Sequence, residues 1–177
     1  MHFTWPKLPA DCNKFVFDTN VLIYMHGFQI NTKHARRYAP VIEHIASSKS
    51  VVYIDKIVLS EFINRYINSS MDYKLRLQGK LAKDEKFRFN KNIHRNTPEY
   101  KRVLQEIKSI LFQLCTTYNI KLHNENFYID SEHITNCLND MEFNDYLIMS
   151  LAKDVGATIV TNDRDLIGCE EVNTLSA

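Results

Sequence analysis

The feature that most constrains this chain is the regular alternation of short β-forming runs with helical stretches. KFVF at 14–17 is apolar and rich in β-formers, stops at Asp18, and passes directly into NVLIYMH (20–26), which reads as the opening of a helix. The order then recurs. Residues 32–47 place apolar side chains at 35, 38, 41, 42, 45 and 46, a helical spacing with Asn31 or Thr32 as N-cap. VVYI at 51–54 is a second strand, and it feeds 56–68, whose apolar positions 58, 59, 62, 63, 66 and 67 define an amphipathic helix. Residues 70–96 read as helix followed by an exposed connection. Thr97-Pro98-Glu99 starts a helix that runs to about Tyr118, NIKLH (119–123) is a third strand, and residues 131–139 make a short helix. A longer helix covers 143–155 and stops at Gly156; ATIVT (157–161) and VNTL (172–175) are the last strands. Strands separated by helices require parallel crossovers, so the expected fold is a sheet with helices on both faces. In such sheets, function gathers beyond the carboxyl ends of the strands.

With 177 residues, 45% hydrophobic and 24% charged, and only four Gly and four Pro, the chain suits one folded domain. No apolar run reaches the roughly 18 residues of a membrane span, and MHFTWPKLPADCNK lacks the apolar centre of a secretory signal, so the expected location is cytoplasmic, with no membrane partner. Cysteines 12, 115, 137 and 169 are far apart, without CxxC or zinc-type spacing, and are read as reduced packing residues. The seven histidines are equally scattered, which argues against a His-based metal site.

A formal net charge of +1 conceals a strong asymmetry. Residues 72–102 hold ten Lys and Arg against four acids, whereas residues 125–177 hold eleven acids against Lys153 and Arg164. A basic middle beside an acidic end is either solvated surface or a phosphate-binding strip next to a cation site. Four acids decide between these readings. Asp18 ends the first strand, Asp163 follows ATIVT by two residues, Glu61 lies in the second turn after VVYI, and Asp145 opens the helix at 143–155 on the margin of its apolar stripe. Taken singly, each has an ordinary explanation as a turn, a cap or an ion pair, such as Glu61 with Arg65 at i+4. Together at one sheet edge they repel one another unless a cation neutralises them. Oxygen-only ligation suits Mg²⁺ or Mn²⁺, ions that activate water and offset charge on a phosphodiester.

FVFDTNVLIY, the Glu of VLSEFIN, FNDYLIMSLAKDVGATIVTND and the closing RDL, in this order, resemble the PIN-domain family over about residues 14–69 and 119–175. The resemblance implies a three-layer α/β/α fold with a central, mainly parallel sheet. It also implies Mg²⁺- or Mn²⁺-dependent endoribonuclease activity, often as the toxin of a toxin–antitoxin pair, with a small antitoxin protein as partner and commonly a homodimer. By position, the family's acidic set falls on Asp18, Glu61, Asp145 and Asp163 as catalytic and metal-holding residues, with Asn20 and Thr161 supporting them. Asp165 reads as structural, and Asp140 and Glu142 as solvated, with a place near the metal as the alternative for either. The basic stretch at about 70–118 departs from the small toxins in length and is read as a helical insertion that contacts the RNA backbone. Tyr73, Phe87, Phe89 and Tyr100 within it are read first as packing residues. The alternative reading is a non-catalytic PIN-like module that holds RNA or a protein. An aspartyl-nucleophile phosphatase is disfavoured, because such chemistry wants a second Asp two residues after Asp18, where Asn20 stands.

Overall fold

The computed structural model describes residues 1–5, 7–8, 12–28, 32–123 and 141–177. The expected helix at 131–139, Asn31, Cys137 and Asp140 lie outside the described residues. Among the described residues six strands form one sheet: β1 (His2–Thr4), β2 (Lys14–Phe17), β3 (Val51–Asp55), β4 (Asn119–His123), β5 (Thr158–Val160) and β6 (Asn173–Ser176). Their order is β1-β6-β5-β2-β3-β4, and every pairing is parallel. The helices are α1 (Thr19–His26), α2 (Thr32–Ser47), α3 (Lys56–Leu77), α4 (Lys91–His94), α5 (Pro98–Thr117), α6 (Phe143–Val155) and α7 (Arg164–Ile167). The result is the three-layer α/β/α arrangement.

Central position explains the composition of β2. Phe15 and Phe17 point to one face and Val16 to the other, yet all three are buried, because a parallel sheet is covered on both sides. The register sets Val16 beside Tyr53 on β3 and beside Ile159 on β5. From β2 the chain moves one way to β3 and β4, then returns on the other side to β5 and β6. The crevice above such a reversal, between the carboxyl ends of β2 and β5, is where this class of sheet binds ligands.

β1 was not expected from the sequence, and the two helical stretches expected before and after residue 69 prove to be one. β1 is a three-residue edge strand with no apolar run of its own; it is held by pairing with β6, from His2 beside Thr174 to Thr4 beside Ser176. The helix after β3 continues without a break to Leu77, because Met71 and Leu75 are buried in the same core as Val103 and Ile107 of α5. Partners distant in sequence supply that continuity. The three described cysteines, at 12, 115 and 169, are free thiols, and no described helix is long and apolar enough to cross a membrane.

Gly156 ends α6 in the left-handed region at φ 62°, ψ 47°, with its N–H on the carbonyls of Ala152 and Lys153. A Cβ there meets nothing within 4 Å, so the substitution Gly156→Ala tests backbone strain alone. We expect a loss of about 1–2 kcal/mol, read as a fall in Tm of roughly 2–8 °C.

Candidate functional site

Asp18 follows β2 at the point where the strand must become a helix. Its backbone N–H reaches Val160 O at 3.2 Å, which extends the β2–β5 ladder by one residue. Its carboxylate then caps α1, accepting the Asn20 N–H at 3.4 Å. The side chain is 4% exposed and accepts two further bonds, from the Thr161 hydroxyl at 2.7 Å and the Asn20 amide at 3.3 Å. Burial pushes its pKa up against those donors, and the neighbouring Asp163 adds to the rise.

Asp163 lies just past β5, the strand beside β2. It caps α7 by accepting the Asp165 N–H at 3.0 Å, while its own N–H donates to the Thr161 hydroxyl oxygen at 2.9 Å. Thr161, fully buried, therefore joins the two acids: it donates to Asp18 and accepts from Asp163. Asp145 sits in the first turn of α6, half-buried, where a carboxylate is also favoured by the helix dipole. Desolvation outweighs that, and together with the charges of Asp163, Asp18, Glu142 and Asp165 it raises the Asp145 carboxyl to about 7. Glu61 arrives from the second turn of α3. The buried Thr19 hydroxyl donates to one of its oxygens at 2.9 Å, and Arg65 stands 3.5 Å from the other and 3.3 Å from the Asn20 side-chain carbonyl.

All four sequence-chosen acids, together with Asn20, line one cleft of about 220 Å³ at the carboxyl edge of the sheet. Glu142, for which the sequence reading kept a place near the metal as its alternative, and Asp165, which it took as structural, line it too. Asp145, Asp163 and Asp165 each offer a carboxylate oxygen within 4.8 Å of the others. The short α7 turn brings Asp165 back beside Asp163, and the RDL that follows TND is the signal that would have found it. Thr19 and Arg65 are further lining residues that the sequence analysis did not select, because their parts depend on how α1 meets α3.

The donor set at the cleft is carboxylate, amide and hydroxyl oxygen, which fits a hard divalent cation and offers nothing to a thiolate- or imidazole-seeking metal. The Asp145 carboxyl, raised first by desolvation and then by the charges of Asp163, Asp18, Glu142 and Asp165, is in keeping with the same fit.

The sequence pattern of the PIN domain matches residues 15–168. Comparison with curated proteins returns no significant match. Among solved structures, VapBC2 from Rickettsia felis bound to a DNA fragment from its promoter is 18% identical, aligned over 92% of this chain and 98% of that one, with a TM-score of 0.50. A domain of a functionally unknown protein from Methanocaldococcus jannaschii is 14% identical over 94% and 91%, with a TM-score of 0.46. A protein from Pyrobaculum aerophilum is 15% identical over 91% and 83%, with a TM-score of 0.45. At 18% identity the likeness to VapBC2 is one of fold.

Proposed function

The chain belongs to the PIN domain family, and on that premise we propose that it is a divalent-metal-dependent endoribonuclease, a single PIN-like domain with a helical insertion at about 70–118. One observation carries this reading: Asp18, Glu61, Asp145 and Asp163, from four separate segments, line the same cleft at the reversal point of the sheet. Asp18, Asp145 and Asp163 would hold Mg²⁺ or Mn²⁺, with Glu61 and Asp165 at hand. When bound, such an ion lowers the pKa of a water and offsets charge developing on the phosphate.

The chain's own groups divide the remaining work. Thr161 and Asn20 donate to Asp18 and so fix the direction of its oxygens. In Glu61 one oxygen is taken by Thr19, which leaves the oxygen on the Arg65 side to accept a proton from an attacking water. Arg65, half-exposed at the rim, is positioned to meet a phosphate oxygen. The protein partner we propose is a small antitoxin that covers the acidic cleft, in keeping with the VapBC2 complex that shares the fold; a homodimer is the proposed assembly.

The test is RNA cleavage by purified protein with Mg²⁺, with Mn²⁺ and with chelator. We expect cutting with either ion and none with chelator. Calorimetry that detects no Mn²⁺ binding at millimolar concentration would replace this reading with a non-catalytic binding module.

A further inference from the structure

α3 and α5 form an antiparallel hairpin: Lys74 and Tyr66 meet Glu106, while Gln78 and Lys80 meet Glu99. Its far end, residues 78–102, holds eight Lys and Arg against three acids. Two of those acids are engaged within the protein. Glu99 accepts from Gln78 at 3.1 Å and stands 3.7 Å from Lys80, and Glu85 accepts the Ala82 N–H at 3.4 Å. By contrast, Lys83, Lys86, Arg88, Arg95 and Lys101 are exposed and form no ion pair among the described residues. Asp84 and Glu85 are the exposed acids of this segment, against these five exposed cations. The outward charge is therefore strongly positive.

This end is held in a definite shape by its aromatic residues. Phe89 stacks on Tyr100 with ring centroids 5.3 Å apart, and Phe87 and Phe89 both contact the His94 ring. Phe87, Phe89 and Tyr100 also pack against the core. Rings used internally are not offered to bases, so charge is the means of recognition left to this surface.

A continuous helix face joins it to the cleft. At 100° per residue, Arg65, Asn68, Asp72 and Arg76 lie within about 60° of Glu61 around α3. At the near end, Glu61 and Arg65 line the cleft. At the far end, Arg76 is neutralised by Asp72 and bonds to the backbone carbonyls of Ala82 and Glu85, which draws the basic loop onto this same face. Asn68 and Ser69 are exposed between them. From Glu61 to Arg76 the helix axis advances about 22 Å.

We infer that the hairpin end is a second, sequence-independent contact surface for RNA phosphates, reached by a strand that leaves the cleft along this face of α3. The inference rests on the ribonuclease reading above and narrows its substrate to long RNA. A stacked strand advances about 3.4 Å per nucleotide, so roughly six or seven nucleotides separate the two contacts.

The experiment uses the full chain and the triple variant Lys83→Gln, Lys86→Gln, Arg88→Gln, whose exposed side chains form no hydrogen bond or ion pair among the described residues. Fluorescence anisotropy in chelator measures binding of a labelled single-stranded 20-nucleotide RNA and of a 4-nucleotide RNA over a range of salt. We expect the variant to bind the longer RNA about tenfold more weakly, with the slope of log affinity against log salt reduced by about 2. Binding of the 4-nucleotide RNA should be unchanged. Equal affinity of the two proteins for the longer RNA would overturn the inference. So would binding of poly-glutamate with the same affinity and the same sensitivity to the variant, which would assign the surface to an acidic protein. Cleavage of the 4-nucleotide RNA with Mn²⁺ reports on the cleft alone, so a wild-type protein that shows the binding pattern but never cuts refutes the ribonuclease reading and not the contact surface.

Discussion

Replacing Asp18 by Asn is expected to lower metal-dependent RNA cleavage by about 10²–10³-fold, the loss typical of removing one strong electrostatic contribution to a transition state. The fold should survive. Asn keeps one acceptor oxygen in place of two, so it loses either the Thr161 bond at Oδ2 or the α1 cap at Oδ1, but it also removes a buried charge that desolvation and Asp163 both oppose. One lost hydrogen bond and one relieved buried charge offset each other, so the expected melting temperature in chelator at pH 8 lies within about 4 °C of that of the unaltered protein. Loss of activity together with an intact melt locates the defect in the cleft. Undiminished Mn²⁺-dependent cutting by Asp18→Asn would remove Asp18 from the machinery.

The second large effect concerns the ion. At a hundredfold excess over its Kd, a ligand that binds only the folded state stabilises by about 2.7 kcal/mol, which for a chain of this size raises Tm by roughly 5–10 °C. Mn²⁺ is expected to do this at pH 8. The pH dependence follows from Asp145, whose folded carboxyl is raised to about 7 from an ordinary value of 3.8. A folded pKa above the unfolded one means that the native state holds its proton more tightly. In chelator, the contribution of Asp145 to stability is therefore fully present below about pH 4 and is lost as pH rises through about 7. Mn²⁺ acts in the opposite direction: it needs the carboxylate, so its stabilising effect should fade as pH falls below 7. Melting curves at pH 5.5 and pH 8, with and without Mn²⁺, measure both effects. A Tm increment from Mn²⁺ that is the same at both pH values would contradict the involvement of Asp145.

Much of the architecture was legible in the residues because each element carries its own period. KFVF and VVYI are continuous apolar runs, as strands covered on both faces must be, and the helix at 98–117 announces itself with Thr97, Pro98 and an apolar stripe. The acids at the carboxyl ends of β2 and β5 were legible for the same reason, since parallel strands deliver their next residues to one edge. Glu61 needed only the phase of its helix.

The joining of the two expected helical stretches into one α3 and the existence of β1 were not legible, because neither is decided locally. Met71 and Leu75 stay helical through contact with a core shared with α5, and His2–Thr4 is a strand only because β6 lies alongside. Nor did the pattern show that Arg76 ties the basic loop to the face of α3 that carries Glu61.

The linear chain determined which residues are strand, helix or turn and which acids stand at strand ends, because those properties depend on periods of two and 3.6 and on the next few residues. Tertiary structure alone decided that Asp165 joins Asp145 and Asp163 within 4.8 Å, that Thr161 bridges Asp18 to Asp163, and that Arg65 reaches Asn20 as well as Glu61. The first two depend on where α6 and the turn after β5 come to rest against β2, and the third on how α1 meets α3. Such distances between segments far apart in the chain are set by packing of the whole core and by no local period.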